Sequence, residues 1–292
     1  MIPGTFDYHR PTGLAEAVAL LASLDTDARV IAGGHSLIPM MKLRLAAPTH
    51  LIDLAGIGEL KGVKMDGDTL VIGAMTTQHD LILNDLVAAR APILKEAALL
   101  IADPQVRYMG TVGGNVANGD PGNDMPALMM ALDGQYVLSG PKGARTVAAR
   151  AYYNGPYDTA ARPGEILAAI RVKAPAAGHG YAYEKLKRKV GDYATAASAV
   201  VLTVSGGKIA TCAIALTNVA DTPLNAAEAA AAVIGTALDK ASLAKAAAAA
   251  ESIASPAADA RGSVQYRKKM AGVMTARALA RAFARAFARA AA

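Results

Sequence analysis

Glycine is concentrated in the segment Thr111–Asp124, TVGGNVANGDPGND, which contains Gly113, Gly114, Gly119 and Gly122. Glycine at this density weakens a helix or a strand, because a backbone without side chains loses more conformational freedom when it is ordered. Of all features of the sequence, this one most restricts the fold. It predicts either sharp turns of the backbone here or the close approach of something large.

A second glycine-centred turn, Ala32–Ser36 (AGGHS), shares its pattern with Thr111–Asn115 (TVGGN). Each follows an apolar stretch, carries a hydroxyl at its edge and offers consecutive backbone amides, which can converge on the oxygens of a phosphate. Neither has the Walker A pattern or the Rossmann GxGxxG pattern. Most Gly-Gly pairs mark ordinary tight turns. Two such turns, separated by a whole subdomain, nevertheless favour a pyrophosphate held between two lobes.

The order of elements predicts an α+β fold with a first lobe at residues 1–55, a second lobe at 56–175 and a C-terminal domain at 178–292. The linker is placed where the composition changes, at Lys173–Gly178. Predicted helices are Gly13–Leu24 and His79–Ala89. Predicted strands are Ala28–Ala32, His50–Leu54, Gly180–Lys187, Ala196–Val204 and Lys208–Asn218.

Charge and cysteine content exclude several classes of protein. The chain has 292 residues, a net charge of +6 and one cysteine, Cys212, so it can form no internal disulfide and no four-thiolate cluster. Cys212 lies in an apolar segment and is predicted to be a core thiol. The scattered histidines predict no metal site, and the few aromatic residues argue against nucleic-acid binding. Without a signal peptide or an apolar run of about 20 residues, a soluble, cytoplasmic protein is expected.

The C-terminal tail RALARAFARAFARAAA places arginines on one helix face and large apolar side chains on another. The arginines are Arg277, Arg281, Arg285 and Arg289, and the apolar residues are Leu279, Phe283 and Phe287. Such a helix suits a partner or a membrane surface. The favoured alternative is a terminal helix that packs its apolar stripe on its own domain.

Four motifs are distributed along the chain: AGGHSLIPMMKLRLA (Ala32–Ala46), ADPQVRYMGTVGGNVANGDPGNDMPALM (Ala102–Met129), YEKLKRKVGDYATAA (Tyr183–Ala197) and ALTNVADTP (Ala215–Pro223). Through them the sequence resembles the FAD-binding medium subunits of molybdenum hydroxylases, and within that family the carbon monoxide dehydrogenases most closely. The resemblance implies a two-lobed FAD-binding domain of the vanillyl-alcohol-oxidase/PCMH type. A C-terminal domain of three antiparallel strands with helices would follow it.

The resemblance also implies cofactor-binding residues. Asp124 would accept hydrogen bonds from hydroxyls of the flavin side chain, a role that suits an acceptor-only carboxylate. Tyr193 would lie over the flavin ring, and Ile101, Leu167 and Lys185 would contact the flavin. The pyrophosphate would be wrapped by Ala32, Gly33, Gly34, His35, Ser36, Thr111, Val112, Gly113, Gly114 and Asn115.

Simpler roles compete for these side chains. Asp124 could cap a helix that begins near Met125, and Lys185 could belong to a solvated strand edge. Ile101 alone would be a core residue. His35 could be covalently bonded to the flavin, as in some flavin oxidases, but the family resemblance implies non-covalent FAD.

The implied function is electron transfer with no catalytic residue in this chain. A small subunit with 2Fe–2S clusters and a large subunit with a molybdopterin cofactor would be its partners, in a dimer of heterotrimers. FAD would pass electrons to an acceptor such as a quinone, and association with the inner face of the cytoplasmic membrane stays an alternative. The competing hypotheses are a self-contained flavin oxidase with FAD linked through His35 and a nucleotide-binding scaffold without a redox role.

Overall fold

The computed structural model describes residues 2–290, apart from the side chains of residues 289 and 290, and its strands form three main sheets and one short two-stranded pair. The strands are β1 (Asp7–His9), β2 (Ala28–Ile31), β3 (His50–Asp53), β4 (Val63–Asp66), β5 (Thr69–Gly73), β6 (Gln135–Gly140), β7 (Gly143–Ala148), β8 (Tyr153–Gly155), β9 (Asp158–Thr159), β10 (Ile166–Lys173), β11 (Gly180–Leu186), β12 (Ala196–Ser205), β13 (Lys208–Thr217) and β14 (Leu224–Asn225). The helices are α1 (Leu14–Leu24), α2 (Leu37–Lys42), α3 (Gln78–Leu83), α4 (Asp85–Arg90), α5 (Pro92–Ala98), α6 (Pro104–Met109), α7 (Val112–Ala117), α8 (Asp124–Ala131), α9 (Ala227–Ala231), α10 (Lys240–Ile253) and α11 (Val264–Ala290).

The first sheet is parallel, with the order β1–β3–β2. Apolar residues recur at helical spacing in α1, so Ala17 and Val18 are buried in one cluster with Ile52 of β3. A parallel pair needs a crossover connection, and the connection from β2 to β3 contains the Ala32–Ser36 turn and α2. The predicted helix at Gly13–Leu24 and the strands on either side of this crossover are confirmed to within one residue.

The second sheet is antiparallel, with the order β4–β5–β10–β6–β7, and it packs against a layer of short helices. The single helix predicted at His79–Ala89 is wrong, because two helices, α3 and α4, occupy this segment. Asn84 separates them: its backbone is extended, and its Oδ1 accepts a hydrogen bond from the amide of Val87 at 3.1 Å. An asparagine that caps the next helix ends the preceding one, because its extended backbone cannot continue it.

The third sheet confirms the three predicted C-terminal strands and extends them by the two-residue strand β14, in the order β11–β12–β13–β14. Helix α11 packs on one face of this sheet, and α10 packs against α11. Residues of its other face, Tyr183, Ala197 and Ala215, join the hydrophobic core of the second sheet. The predicted division into residues 1–175 and 178–292 stays a prediction, since this core continues across it.

The tail helix α11 packs on its own sheet, which confirms the favoured alternative. The buried stripe differs from the predicted one: Ala278, Ala282 and Ala286 are buried with Leu279, whereas Phe287 is 53% exposed. Small residues face the sheet because the helix lies very close to it. The predicted position of the Arg289 side chain lies outside the described part of the chain. Within that part, no helix is both long and apolar enough to cross a bilayer.

Candidate functional site

One cleft of about 810 Å³ lies where the two lobes meet the loop that follows β11. Its volume is typical of sites for small molecules and cofactors. Every predicted site residue except Val112 lines it, namely Ala32, Gly33, Gly34, His35, Ser36, Ile101, Thr111, Gly113, Gly114, Asn115, Asp124, Leu167, Lys185 and Tyr193. Val112 points elsewhere, because its side chain is fully buried in the core of the second sheet.

The first glycine turn follows the carboxyl end of β2 and has the predicted open form. Gly34 adopts φ +74°, a conformation that glycine tolerates best. Gly33 permits close packing of the two lobes, since a Cβ there would lie 2.3 Å from the carbonyl oxygen of Met109. Among the described residues, none accepts a hydrogen bond from the backbone amides of Gly33, Gly34, His35 or Ser36. These amides are therefore available to a ligand.

The second glycine segment corrects the sequence prediction, because Val112–Ala117 is the helix α7 and not an open turn. Three of its first amides already donate within the protein, so they form no free phosphate nest. The bonds run from Val112 N to Thr76 O at 2.8 Å, from Gly113 N to Ala74 O at 2.8 Å and from Gly114 N to Thr111 Oγ1 at 2.9 Å. Thr111 is the N-cap of the helix, which satisfies an otherwise unpaired amide. Gly113 is required by close packing, since a Cβ there would lie 2.5 Å from Cβ of Ala74.

The loop after α7 packs against the ring of Tyr193. A Cβ on Gly122 would lie 2.7 Å from Cδ1 of that ring, so this glycine also serves contact within the protein. The Tyr193 hydroxyl donates to Asp120 Oδ2 at 3.2 Å. Burial, and then the charge of Asp120, raise the pKa of Tyr193, which therefore stays neutral. Tyr193 is 43% exposed at the cleft.

Asp124 forms a buried ion pair and caps nothing. Helix α8 begins at Asp124 itself and its N-cap is Asn123, so the capping alternative is wrong. The Asp124 carboxylate accepts from Lys185 Nζ at 2.7 Å and from the Tyr183 hydroxyl at 2.5 Å. The side chains of Asp124 and Lys185 are only 5% and 2% exposed, so the solvated-edge alternative for Lys185 is wrong too. Burial, followed by the negative charge of Asp124, raises the pKa of Tyr183 well above its usual value and keeps it a donor.

Three cations hold the backbone around Ile101. Lys185 and Lys187 each donate from Nζ to the carbonyl of Leu100 at 3.4 Å, and Arg107 donates to the carbonyl of Ile101 at 2.8 Å. Burial, and then the charge of Lys185, lower the pKa of Lys187. Ile101 is 7% exposed and belongs both to the core and to the cleft wall.

Leu167 and His35 lie at other parts of the wall. Leu167 is 7% exposed and lies two positions after Glu165. Arg145 donates two hydrogen bonds to the Glu165 carboxylate, of 2.6 and 2.8 Å. The hydrogen bond from Arg145 is the main reason that the pKa of Glu165 falls below its ordinary 4.5. His35 Nδ1 donates to the carbonyl of Gly33 at 2.8 Å, so this ring nitrogen is engaged within its own turn.

Away from the cleft, burial raises the pKa of the Cys212 thiol to about 12, as expected for an unreactive core thiol.

Sequence reasoning missed further polar residues of this region, among them Tyr183, Gln78 and Asn118. Tyr183 could have been found, because residues two apart on a strand share a face and Tyr183 precedes Lys185 by two positions. Gln78 and Asn118 line the cleft with buried polar atoms, but no sequence pattern marks them.

The lining of the cleft suits a ligand with a phosphate group and an apolar ring. Free amides lie at the Ala32–Ser36 turn, a carboxylate lies at Asp124, and apolar walls are provided by Ile101 and Leu167. A dinucleotide with a flavin ring combines these chemical groups, so the residues present fit FAD.

Comparisons with known proteins agree with this chemistry. Residues 4–175 match the family model described as the FAD binding domain in molybdopterin dehydrogenase, and residues 181–282 match the CO dehydrogenase flavoprotein C-terminal domain. The first match defines the class: a flavoprotein of the molybdopterin dehydrogenases.

The relatives narrow the class further. The carbon monoxide dehydrogenase medium chain of Afipia carboxidovorans is 66% identical over 96% of this chain and 97% of its own length. The corresponding chain of Hydrogenophaga pseudoflava is 53% identical over 96% and 97%. A chain of reconstituted CO dehydrogenase from Oligotropha carboxidovorans superposes with a TM-score of 0.97 at 65% identity, covering 98% of this chain and 100% of that one. The present chain belongs to the family of FAD-binding medium subunits of molybdenum hydroxylases, which confirms the predicted family and fold class.

Proposed function

We propose that this chain is the FAD-carrying electron-transfer subunit of a molybdenum hydroxylase of the carbon monoxide dehydrogenase type. The observation that carries the proposal is one cleft in which residues from both parts of the chain provide the chemical groups that suit FAD. The relatives named above are medium chains of carbon monoxide dehydrogenases, and they align over nearly the whole length. The one cysteine supports a division of labour, because this chain cannot ligate iron–sulfur clusters by itself.

The cleft residues divide into three roles. The free amides of the Ala32–Ser36 turn bind the pyrophosphate, and Asp124 accepts hydrogen bonds from hydroxyls of the cofactor. Ile101, Leu167 and Tyr193 hold the ring and exclude water from it. Bound FAD supplies a centre that accepts electrons singly and releases them in pairs. The chain itself fixes the position of that centre relative to a partner.

The partners follow from the same proposal. A small subunit with 2Fe–2S clusters delivers electrons, a large subunit with the molybdopterin cofactor oxidises the substrate, and the complex is a dimer of heterotrimers. The acceptor is a quinone or a similar molecule. The complex works in the cytoplasm, with peripheral association at the inner face of the membrane as an alternative.

The alternative of a self-contained oxidase with FAD linked through His35 is not favoured. The matched relatives are subunits of larger dehydrogenases, and Nδ1 of His35 already bonds to Gly33. We propose non-covalent FAD. Acid precipitation of the flavin-loaded protein is expected to leave a colourless pellet, and a yellow pellet would contradict this assignment.

Co-expression tests the proposed function. The tagged chain, produced together with the iron–sulfur and molybdenum subunits, is expected to capture both and to contain about one FAD per chain. Anaerobic addition of carbon monoxide should then bleach the flavin absorbance, whereas argon should not. A chain that never captures these subunits, or a complex whose flavin stays oxidised under carbon monoxide, would refute the proposal.

A further inference from the structure

The hydroxyl of Tyr193 is held by a carboxylate that does not itself line the cleft. Oδ2 of Asp120 accepts a hydrogen bond from this hydroxyl at 3.2 Å, and the residues that line the cleft include Tyr193 and not Asp120. Oδ1 of the same carboxylate accepts from the backbone amide of Gly122 at 2.8 Å. This bond spans two residues and closes an Asx turn, which fixes the direction of the Asp120 side chain. The second oxygen is therefore presented to Tyr193.

Two further contacts restrain the ring of Tyr193. A Cβ on Gly122 would lie 2.7 Å from its Cδ1, so the edge of the ring packs closely against that glycine. The guanidinium carbon of Arg261 lies 5.7 Å from the ring centroid, within the range of a cation–π interaction. A hydrogen bond depends more strongly on angle than either of these contacts. The bond to Asp120 is therefore the contact that best fixes the tilt of the ring.

The Asp120 carboxylate forms no ion pair within the part of the chain that the structure describes. Its hydrogen-bond partners there are the Gly122 amide and the Tyr193 hydroxyl. Its charge also affects a second tyrosine of the cleft, because burial, and then the charge of Asp120, raise the pKa of Tyr157. Asp120 thus lies behind two aromatic residues of the cleft wall, where it orients at least one of them.

We propose that Asp120 is a positioning residue that holds the Tyr193 ring against the flavin. The inference rests on the proposed function, in which Tyr193 holds the ring of FAD and excludes water from it. A tyrosine that is 43% exposed is free to rotate into solvent unless it is restrained. The bond to Asp120 supplies the restraint, so this carboxylate determines how often the flavin is open to solvent.

Two single substitutions and their combination test the inference. Asp120→Ala removes the acceptor, and Tyr193→Phe removes the donor but keeps the aromatic ring. Each is expected to raise the fraction of bound flavin that has no tyrosine or phenylalanine ring in contact by about fivefold, the effect of losing one hydrogen bond. Because both residues act through the same bond, the double variant should show no larger change than either single variant.

This fraction is measured from the fluorescence lifetimes of bound FAD. An aromatic ring in contact quenches the emission of the flavin, so the long-lifetime component reports a displaced ring. The measurement uses the full chain loaded with FAD or, where FAD is taken up only on assembly, the complex with the co-expressed partners.

Asp53→Ala is the matched control, because Asp53 makes the same two kinds of bond. Its Oδ1 accepts from the amide of Ala55 at 2.9 Å, and its Oδ2 accepts from the hydroxyl of Tyr8 at 2.5 Å. Neither Asp53 nor Tyr8 lines the cleft. This variant should lower the melting temperature of the chain and leave the lifetimes of FAD unchanged.

Three results would overturn the inference. The first is an unchanged long-lifetime fraction in Asp120→Ala or in Tyr193→Phe, since the bond would then not hold the ring. The second is a double variant whose effect is the sum of the single effects, since the residues would then act separately. The third is an equal change in Asp53→Ala, since the effect would then come from lost stability. A wild-type protein that takes up no FAD, alone or in the complex, would instead refute the proposed function, and this inference with it.

Discussion

Asp124 and Lys185 form a buried ion pair that links two distant parts of the chain. Their charged atoms are 2.7 Å apart, and Tyr183 donates to the second carboxylate oxygen. Two charges buried in this way contribute little net stability, because the loss of hydration offsets their attraction. Each charge nevertheless needs the other as its partner, because a single buried charge would be left unpaired. The pair therefore fixes the position of the Asp124 carboxylate in the cleft wall.

Removing one charge of the pair should lower the free energy of unfolding far more than removing both charges. For Lys185→Met we expect the free energy of unfolding to fall by about 3 kcal/mol, since the Asp124 carboxylate is left buried and unpaired. The double variant Asp124→Asn/Lys185→Met should recover most of this loss. Urea unfolding of the FAD-free chains measures both values. Equal destabilisation by the single and the double variant would contradict the interpretation.

At the scale of elements, helix α11 depends on a glycine in the strand beneath it. The helix presents Ala278, Ala282 and Ala286 to the sheet. A Cβ on Gly180, the first residue of β11, would lie 2.0 Å from the carbonyl oxygen of Ala282. The sequence predicted that the large apolar residues of the tail pack on the domain, but the close contact between α11 and β11 requires small residues.

Gly180→Ala should therefore displace α11 and destabilise the chain by about 2 kcal/mol, because one methyl group would overlap backbone atoms of the helix. Gly58→Ala is the control, since a Cβ there meets no atom within 4 Å. Thermal unfolding followed by far-UV circular dichroism compares the two variants. If both variants melt at the same temperature, the close approach of α11 to β11 is wrong.

At the scale of the whole molecule, two hydrophobic clusters and one charged junction join the parts of the chain. One cluster joins the second lobe to the C-terminal sheet, and another joins the first lobe to Met75 and Ile166. Glu96 of α5 accepts from the amide of Tyr183 at 2.7 Å and from Arg285 at 2.7 Å, and it also pairs with Arg281. These contacts join α5 to β11 and α11. The cleft is likewise lined from both sides of the predicted linker.

Clusters that cross the boundaries between the parts predict one cooperative unfolding transition for the full chain, and FAD should raise the temperature of the whole transition. At a free FAD concentration of 100 times its Kd, the unfolding free energy should increase by about 2.7 kcal/mol, because FAD binds the folded state alone. Differential scanning calorimetry with and without FAD measures this increase. Two transitions, of which FAD moves only one, would show that the parts unfold independently.

Much of the fold was predictable from local patterns. The helix α1 and the strands β2, β3, β11, β12 and β13 follow from apolar periodicity and from the glycines between them. One exception was the segment of α3 and α4, where Asn84 ends one helix and caps the next. Apolar periodicity continues across such a break, because it records which side faces the core and not where hydrogen bonds begin.

The candidate site was predictable in its residue types and not in their partners. Long motifs indicated FAD, and nearly all of the residues that they named line the cleft. They did not show that α7 uses its own first amides, or that Asp124 and Lys185 neutralise each other.

The sequence by itself therefore determined most of the elements, the family and the chemical class of the ligand. The tertiary structure decided which polar groups remain free to bind it: among the described residues, none accepts from the amides of Gly33–Ser36, whereas the amides of Val112–Gly114 are occupied. The physical reason is that a hydrogen bond depends on distances of a few ångströms. Lys185 and Asp124 are 61 positions apart along the chain, and only folding brings them together.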